Sequence, residues 1–563
     1  MRILLALIQN LLLLVLASLG LPFRWLKSRR RPSYVRFLLR GDPPYRVLAP
    51  RRWRPFAKRD IAEVRSLFTL REQLAILAKD AGVRGSVFHV DRLQISPAKA
   101  DAIAELFQGF RAKGKEVIGY ARHAGNSEYE VLCAADRIVL SPAGRLELAG
   151  YAAAATALGA GLERLGISAQ LVRRGDYKTA PEIFAQSAIS PIHRQTVEHV
   201  LDLRFQSLLT RISRGRRLTP EQARRKVDQG PYSAKRALAE GLCDGLSREE
   251  DLAEFLGMGS KHRRSASAEE PVPHFASYRS ALVLAPVGFR PLARAPRLAV
   301  VPIQGLIAEG EGGRPPVGPE IAGSEGVVGA LRAARRDRRS SALLLYVNSP
   351  GGSALASELI LDEVRRTAKA KPVLAYFDRV AASGGYMAAL GATEIWGAPE
   401  ALAGSIGVFG GKFEMSRLLD RVGVRREIIT RGDNAALLSP SRPFTEVERR
   451  TMELEIEEAY QDFLEHVSVA RGKSKEEIHS LAEGRVYVGS EALQVGLIDR
   501  IGTFEQACRR ALELAKAPGG RFEVAAHPLA RRRIPLMRLI RDAQRTGVFA
   551  LWLPGLGPLE SVT

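Results

Sequence analysis

Two short glycine-bearing turns in the second half of the chain carry residue types that could do chemistry. One reads Asn348-Ser-Pro-Gly-Gly352 and the other Ala381-Ala-Ser-Gly-Gly-Tyr386, each leaving an apolar strand-like run and entering a helical pattern. A strand-to-helix turn of small residues can expose a serine hydroxyl at a helix N-terminus. There the unpaired backbone N–H groups and the positive dipole end favour a developing oxyanion. Ser383 is the serine so placed; Gly384 follows it as the first oxyanion donor, and Gly351 or Gly352 would supply a second. Such a serine needs a base, and no histidine of the second half lies near either turn, since His466 and His479 fall in later helical stretches.

A weak internal repeat supplies a candidate. Residues 86–91 (SVFHVD) map onto 343–348 (LLLYVN) at an offset of 257, and Tyr129, Ile138, Pro142 and Gly150 map at the same offset onto Tyr386, Ile395, Pro399 and Gly407. LERLG at 162–166 maps onto LDRVG at 419–423, and Arg174-Gly-Asp176 onto Arg431-Gly-Asp433. Later the offset slips to 255, where YSAKRALAEGL from Tyr232 resembles YVGSEALQVGL from Tyr487. A shared offset over such a length reads as a duplicated domain. At that offset Asn126 stands in the place of Ser383, and Ala435 in the place of Lys178. Each half thus keeps one member of a Ser/Lys pair, as expected if one active site had been divided between two copies.

The elements that must position these residues are short apolar strands alternating with helix-period segments. Leu70, Leu74, Ile76 and Leu77, and in the second half Leu331, lie in helices that precede a strand; residues 354–367 follow one, and PVLAYFD at 372–378 reads as the next strand. Such alternation implies an α/β architecture with parallel strands. The boundaries expected are 1–23, an apolar segment; 24–60, a basic stretch; 61–257, the half carrying the lysine; 258–296, a linker rich in Ser, Pro, Ala and Arg; 297–520, the half carrying the serine; and 521–563, a basic and apolar tail.

Composition narrows the function classes. The 563 residues exceed what one core supports, since single cores stop growing at roughly 250–300 residues. The net charge of +23 invites a nucleic-acid reading, but 14 basic and 2 acidic side chains fall within the first 60 residues, and no nucleic-acid-binding motif accompanies the rest. Three scattered cysteines, Cys133, Cys243 and Cys508, suit neither a disulfide framework nor a zinc site. Residues 3–23 are long and apolar enough to span a bilayer, with a cleaved signal peptide as the competing reading. The arginines that follow this span favour a cytoplasmic body by the positive-inside rule, or a stretch lying on anionic headgroups. Residues 531–553 read as a basic amphipathic helix, on a membrane or docked on the protein itself.

Taken together, AASGGY around Ser383, GDYKTA around Lys178, VNSPGG at 347–352 and LAGSIGVFG at 402–410 resemble signal peptide peptidase A in its long, duplicated form. The resemblance runs from about residue 60 to 520, with four motifs in order. It implies duplicated ClpP/crotonase-like domains built of repeated β-β-α units, Ser383 as nucleophile, Lys178 as general base and Ser405 as the serine that orients the lysine. It further implies a homotetramer held in the bacterial inner membrane by one N-terminal span, with the catalytic body in the periplasm. Its substrates would be signal-peptide remnants and other extended hydrophobic peptides, and no cofactor, metal or nucleic acid takes part. The basic segment behind the span fits a periplasmic body least well.

The chemistry sets its own demand. A lysine ammonium cannot accept the serine proton; its ordinary pKa is about 10.4, and a useful base sits nearer the working pH. Burial away from carboxylates meets that demand because desolvation disfavours the charged form. Substrate peptide would bind beside a strand edge, as in β-augmentation. Ser96-x-x-Lys99 imitates another serine–lysine motif but lacks its companion segments, and reads as a loop entering a helix. The competing functions are an acyl-CoA enzyme of the crotonase type, which would not need Lys178 opposite Ser383, and a membrane scaffold with a decayed site.

Overall fold

The computed structural model describes residues 11–12, 15, 32–46, 63–258, 272–281, 295–315, 318–517, 522–527 and 548–551. Among them no helix is long and apolar enough to cross a membrane. The apolar segment expected to anchor the chain lies, apart from Leu11, Leu12 and Val15, outside the described residues. The chain forms two compact units, one drawn from within 1–151 and 205–295 and the other from within 152–204 and 296–560.

In the first unit four parallel strands, β1 (Tyr34–Gly41), β2 (Gly85–Leu93), β3 (Glu116–Ala124) and β4 (Arg137–Leu146), pair in chain order. Short strands at Tyr232–Ser233 and Gly245–Leu246 both add to β4. Helix α1 (Leu67–Ala78) starts at Ser66, whose side chain accepts from the Thr69 N–H, and buries Leu67, Leu70, Leu74 and Leu77 while Ile76 faces out. Helix α2 (Pro97–Arg111) is capped by Ser96, which accepts the Lys99 N–H; the lysine's Nζ pairs with Asp42. Ser96 and Lys99 are therefore a cap and an ion pair, as their loop-to-helix reading required. Helix α3 (Asn126–Leu132) follows β3 directly.

The second unit has two sheets. Strand β5 (Ser168–Arg174) comes from the 152–204 segment. The remainder begin with β6 (Arg297–Gln304), β7 (Leu306–Ala308), β8 (Ile321–Gly323) and helix α4 (Ser324–Arg336). Next come β9 (Ser340–Ser349), β10 (Gly351–Ser353) and helix α5 (Ala354–Ala368), then β11 (Val373–Ala382) and helix α6 (Gly384–Ala389). Helix α4 thus follows three strands, α5 follows two and α6 follows one, so strands and helices alternate along the chain. After these come β12 (Glu394–Gly397), β13 (Leu402–Gly404), β14 (Val408–Glu414) and helix α7 (Glu446–Arg471). Strands β15 (Val486–Val488), β16 (Arg500–Ile501), β17 (Glu523–Ala526) and β18 (Val548–Leu551) complete the set.

The eight-stranded sheet runs β15-β13-β11-β9-β6-β17, with β12 and β16 branching from β11. Its central strands are parallel and covered on both faces, which is why residues 342–347 of β9 are all buried and apolar. The six-stranded sheet runs β8-β7-β10-β18-β14-β5. Of residues 531–553, expected to be helical, only Val548–Leu551 are described; they form strand β18, which pairs with β10 over 549–551 and with β14 over 548–549, and the rest of that stretch lies outside the described residues.

The duplication is written in hydrogen bonds. Tyr129 donates its hydroxyl to the Leu242 carbonyl at 2.8 Å, and Tyr386 donates to the Leu497 carbonyl at 2.7 Å. Arg216 pairs with Asp244 and Arg471 with Asp499, and each arginine's Nε donates to a glycine carbonyl, Gly241 or Gly496. Asp244 accepts the Ile138 N–H and Asp499 the Ile395 N–H, both at 2.7 Å. These partners obey the offsets of 257 and 255 found in the sequence.

Candidate active site

Ser383 ends β11 and caps α6 with φ +53°, a conformation costly for a non-glycine residue and one that recurs where a side chain is aimed for function. Its N–H donates to the Gly404 carbonyl at 2.7 Å, and its carbonyl accepts the Met387 N–H at 2.9 Å. Helix α6 is buried throughout, so the turn is fixed on both sides. At Gly385 a Cβ would lie 2.7 Å from the Ser349 carbonyl oxygen, and only glycine lets the two motif turns approach so closely.

Lys178 reaches the same place from β5. That strand pairs antiparallel with β14 over seven residues, from Arg174 opposite Val408 to Ser168 opposite Glu414. The chain then turns at Gly175 (φ +99°), and Lys178 N–H donates to the Gly175 carbonyl at 3.0 Å. Sequence reasoning missed the segment that holds this turn, Ala482 to Arg485. Tyr177 N–H donates to the Glu483 carbonyl at 2.8 Å, and the Arg485 guanidinium lies 4.3 Å from the Tyr177 ring centre. Gly484 (φ +83°) packs so tightly that a Cβ would sit 2.4 Å from Lys178 N. Ser405 N–H donates to the Arg485 carbonyl at 2.6 Å, so one segment braces both the lysine turn and Ser405. The only local signal was the run Glu483-Gly-Arg485 just before the repeat at Tyr487.

At the centre Lys178 Nζ lies 2.7 Å from Ser383 Oγ, 3.3 Å from Ser405 Oγ and 3.2 Å from the Ser405 carbonyl oxygen, to which it donates. All three side chains are fully buried. Burial holds the Lys178 ammonium well below its ordinary range, with no carboxylate acting on it to oppose the shift. A neutral amine there can accept the Ser383 proton while Ser405 fixes its direction. Gly351 (φ +101°) and Gly352 (φ +156°) stand on β10, and the Gly351 N–H donates to Ser349 Oγ at 3.1 Å. An oxyanion at Gly351 must displace or share that bond. At Gly352 a Cβ would fall 1.9 Å from the Ile307 carbonyl oxygen, so the close pairing of β10 with β7 itself demands glycine.

Two segments of the chain, residues 109–261 and 365–518, match peptidase family S49. The chain belongs to that family. The matched segments fall one in each half, as the repeat requires, and the family makes the protein a serine protease. It is 30% identical over 470 residues to Protease 4 of Salmonella typhi, covering 82% of this chain and 74% of that one. It is 29% identical over 458 residues to a chloroplastic serine protease SPPA of Arabidopsis thaliana, covering 80% of this chain and 66% of the plant protein. Among solved structures, a ClpP1 mutant from Listeria monocytogenes is matched over 37% of this chain and 94% of its own, at a TM-score of 0.25 and 16% identity.

Proposed function

We propose that this S49 protease cleaves extended, apolar peptides with Ser383 as nucleophile and Lys178 as general base. The observation that carries the reading is the 2.7 Å approach of a fully buried lysine amine to a fully buried serine hydroxyl. Ser383 Oγ attacks the scissile carbonyl carbon as its proton passes to Lys178 Nζ. The tetrahedral oxyanion is held by Gly384 N–H and a second donor at Gly351 or Gly352. Collapse breaks the C–N bond, Lys178 returns the proton to the leaving amine, and an acyl-serine remains. Water, giving a proton to the same lysine, then adds to the acyl carbon; the ester C–Oγ bond breaks, Lys178 returns the proton to Ser383 Oγ, and the acid leaves. Ser405 orients the amine throughout.

The finer reading is that the protein is anchored in the bacterial inner membrane, acts as a homotetramer with its body in the periplasm, and clears signal-peptide remnants. The apolar residues 3–23 and the four sequence motifs support it. The test is cleavage of a synthetic signal-peptide hydrophobic core, and of a scrambled charged peptide of equal length, by the purified protein and by Ser383→Ala. Mass spectrometry should find Ser383-dependent internal cuts in the apolar peptide. Hydrolysis of an acyl-CoA thioester without peptide cleavage would instead favour the crotonase-type reading.

A further inference from the structure

Two charged residues beside the lysine turn are left unused by the mechanism. Glu182 lies four residues beyond Lys178, and its side chain is only 4% exposed. Arg173 stands on β5 opposite Phe409 of β14, the strand that follows Ser405. One guanidinium nitrogen, Arg173 Nη1, donates to the Glu182 carboxylate at 2.7 Å and to the Lys178 carbonyl at 3.2 Å. Among the described residues it is the one donor to that carbonyl. The second carboxylate oxygen of Glu182 accepts the Ser190 N–H at 3.4 Å, and His193 Nδ1 stands 3.8 Å from it, beyond hydrogen-bond reach. Burial holds that imidazole below its ordinary range against the pull of Glu182, so at neutral pH the arginine is the cation that answers the carboxylate.

We infer that Arg173 and Glu182 are positioning residues for Lys178: the carboxylate fixes the guanidinium, the guanidinium fixes the lysine's carbonyl, and the lysine is thereby anchored at both ends. The inference rests on Lys178 as the base of the proposed function and adds two residues that act through it. At the tip of the side chain the amine meets Ser383 and Ser405. At its root the Lys178 N–H is tied to the Gly175 carbonyl, and the Lys178 carbonyl to Arg173. A lysine stem is flexible, so Nζ keeps its place at Oγ only while the backbone that carries it stays fixed. The two copies of the repeat differ in the same way. At the offset of 257, Thr430 stands in the place of Arg173 and Ser439 in the place of Glu182. The copy with Ala435 in place of Lys178 thus lacks both members of the clamp, and the pair accompanies the lysine rather than the fold.

The test uses the full chain. Arg173→Met alone would strand a buried carboxylate, so the informative protein is the Arg173→Met, Glu182→Gln double variant, which keeps both stems and buries no unpaired charge. Fluorophosphonate labelling of Ser383 is read in two ways: the final fraction labelled counts intact sites, and the rate constant reports the base. The double variant should label to the wild-type fraction but about 10–100-fold more slowly, the cost of a base displaced by up to about 1 Å. With an apolar reporter peptide kcat should fall by the same factor while KM stays within about twofold. A wild-type rate constant in the double variant overturns the inference. So does a smaller labelled fraction at an unchanged rate constant, which would make the pair a support of the fold alone. Lys178→Ala, labelled alongside, separates the two readings. If it too labels at the wild-type rate, the base of the proposed function fails and the positioning pair falls with it; if it labels slowly while the double variant does not, only the positioning inference fails.

Discussion

In the first copy of the strand-to-helix turn, Asn126 stands where the second has Ser383, and Glu128 stands where the second has Gly385. The Glu128 carboxylate accepts the Leu93 N–H at 2.6 Å and the Gly125 N–H at 3.0 Å, bridging the counterparts of the two turns that flank Ser383. Burial pushes that carboxyl above the usual carboxylate range. Asn126 donates its side-chain amide to the Gly150 carbonyl. In the second copy the glycine at 385 admits no side chain, and the serine hydroxyl is met by Lys178. The same backbone has thus been finished in one copy as a turn plugged by a buried carboxylate and in the other as an open turn with one strained serine. The difference teaches that a site is made as much by what is withheld, a side chain at 385, as by what is placed at 383.

The sharpest way to break this comparison is to exchange the serine roles. Ser383→Ala should lower peptide turnover by on the order of 10⁴-fold or more, as loss of a nucleophile does in other serine proteases. Asn126→Ser should neither restore nor add activity, because the repeat places Ala435 and not a lysine at the equivalent of 178; restored turnover in the double variant would break the account. Lys178→Ala should cost about 10²–10⁴-fold in kcat/KM, the range for a general base. Ser405→Ala leaves Nζ without one oriented partner and should cost about 10–100-fold, read as lost kcat with little change in KM. The smallest effect on activity belongs to Glu128→Ala, which should leave kcat/KM within about twofold while removing about 1–3 kcal/mol of stability as two buried N–H groups lose their acceptor. Its pH signature is specific. A carboxyl whose folded pKa is raised adds stability at low pH and loses it as pH rises through the folded value, so the wild type's stability should fall across that window more than the variant's. Thermal unfolding against pH measures this.

Much of the site is legible in the order of residues alone. Ser383, Lys178 and Ser405 sit on motifs local enough to read, and the offset of 257 puts the two members of the proposed dyad in different copies of the repeat. The fold brings both serine hydroxyls to within 3.3 Å of Lys178 Nζ. What could not be read is non-local. The 152–204 segment belongs by sequence to the first copy yet packs in the unit that holds Ser383. That follows from the seven-residue ladder between β5 and β14, whose partners are some 240 residues apart. Likewise β18 is four residues long, and nothing in Val-Phe-Ala-Leu announces two partner strands. The brace at 482–485 acts through backbone carbonyls, which leave no residue-type signal beyond Gly484.

The most direct test of the divided dyad is the rate at which a fluorophosphonate labels Ser383, measured against pH in wild type and Lys178→Ala. The lysine's folded pKa is depressed, so the neutral, proton-accepting form grows as pH rises and is complete above that lowered value, well before the ordinary range near 10.4. Wild-type labelling should therefore climb through a single titration and level off, while Lys178→Ala labels at least about 100-fold more slowly and without that titration. Labelling of Lys178→Ala at the wild-type rate and with the wild-type pH profile would contradict the account.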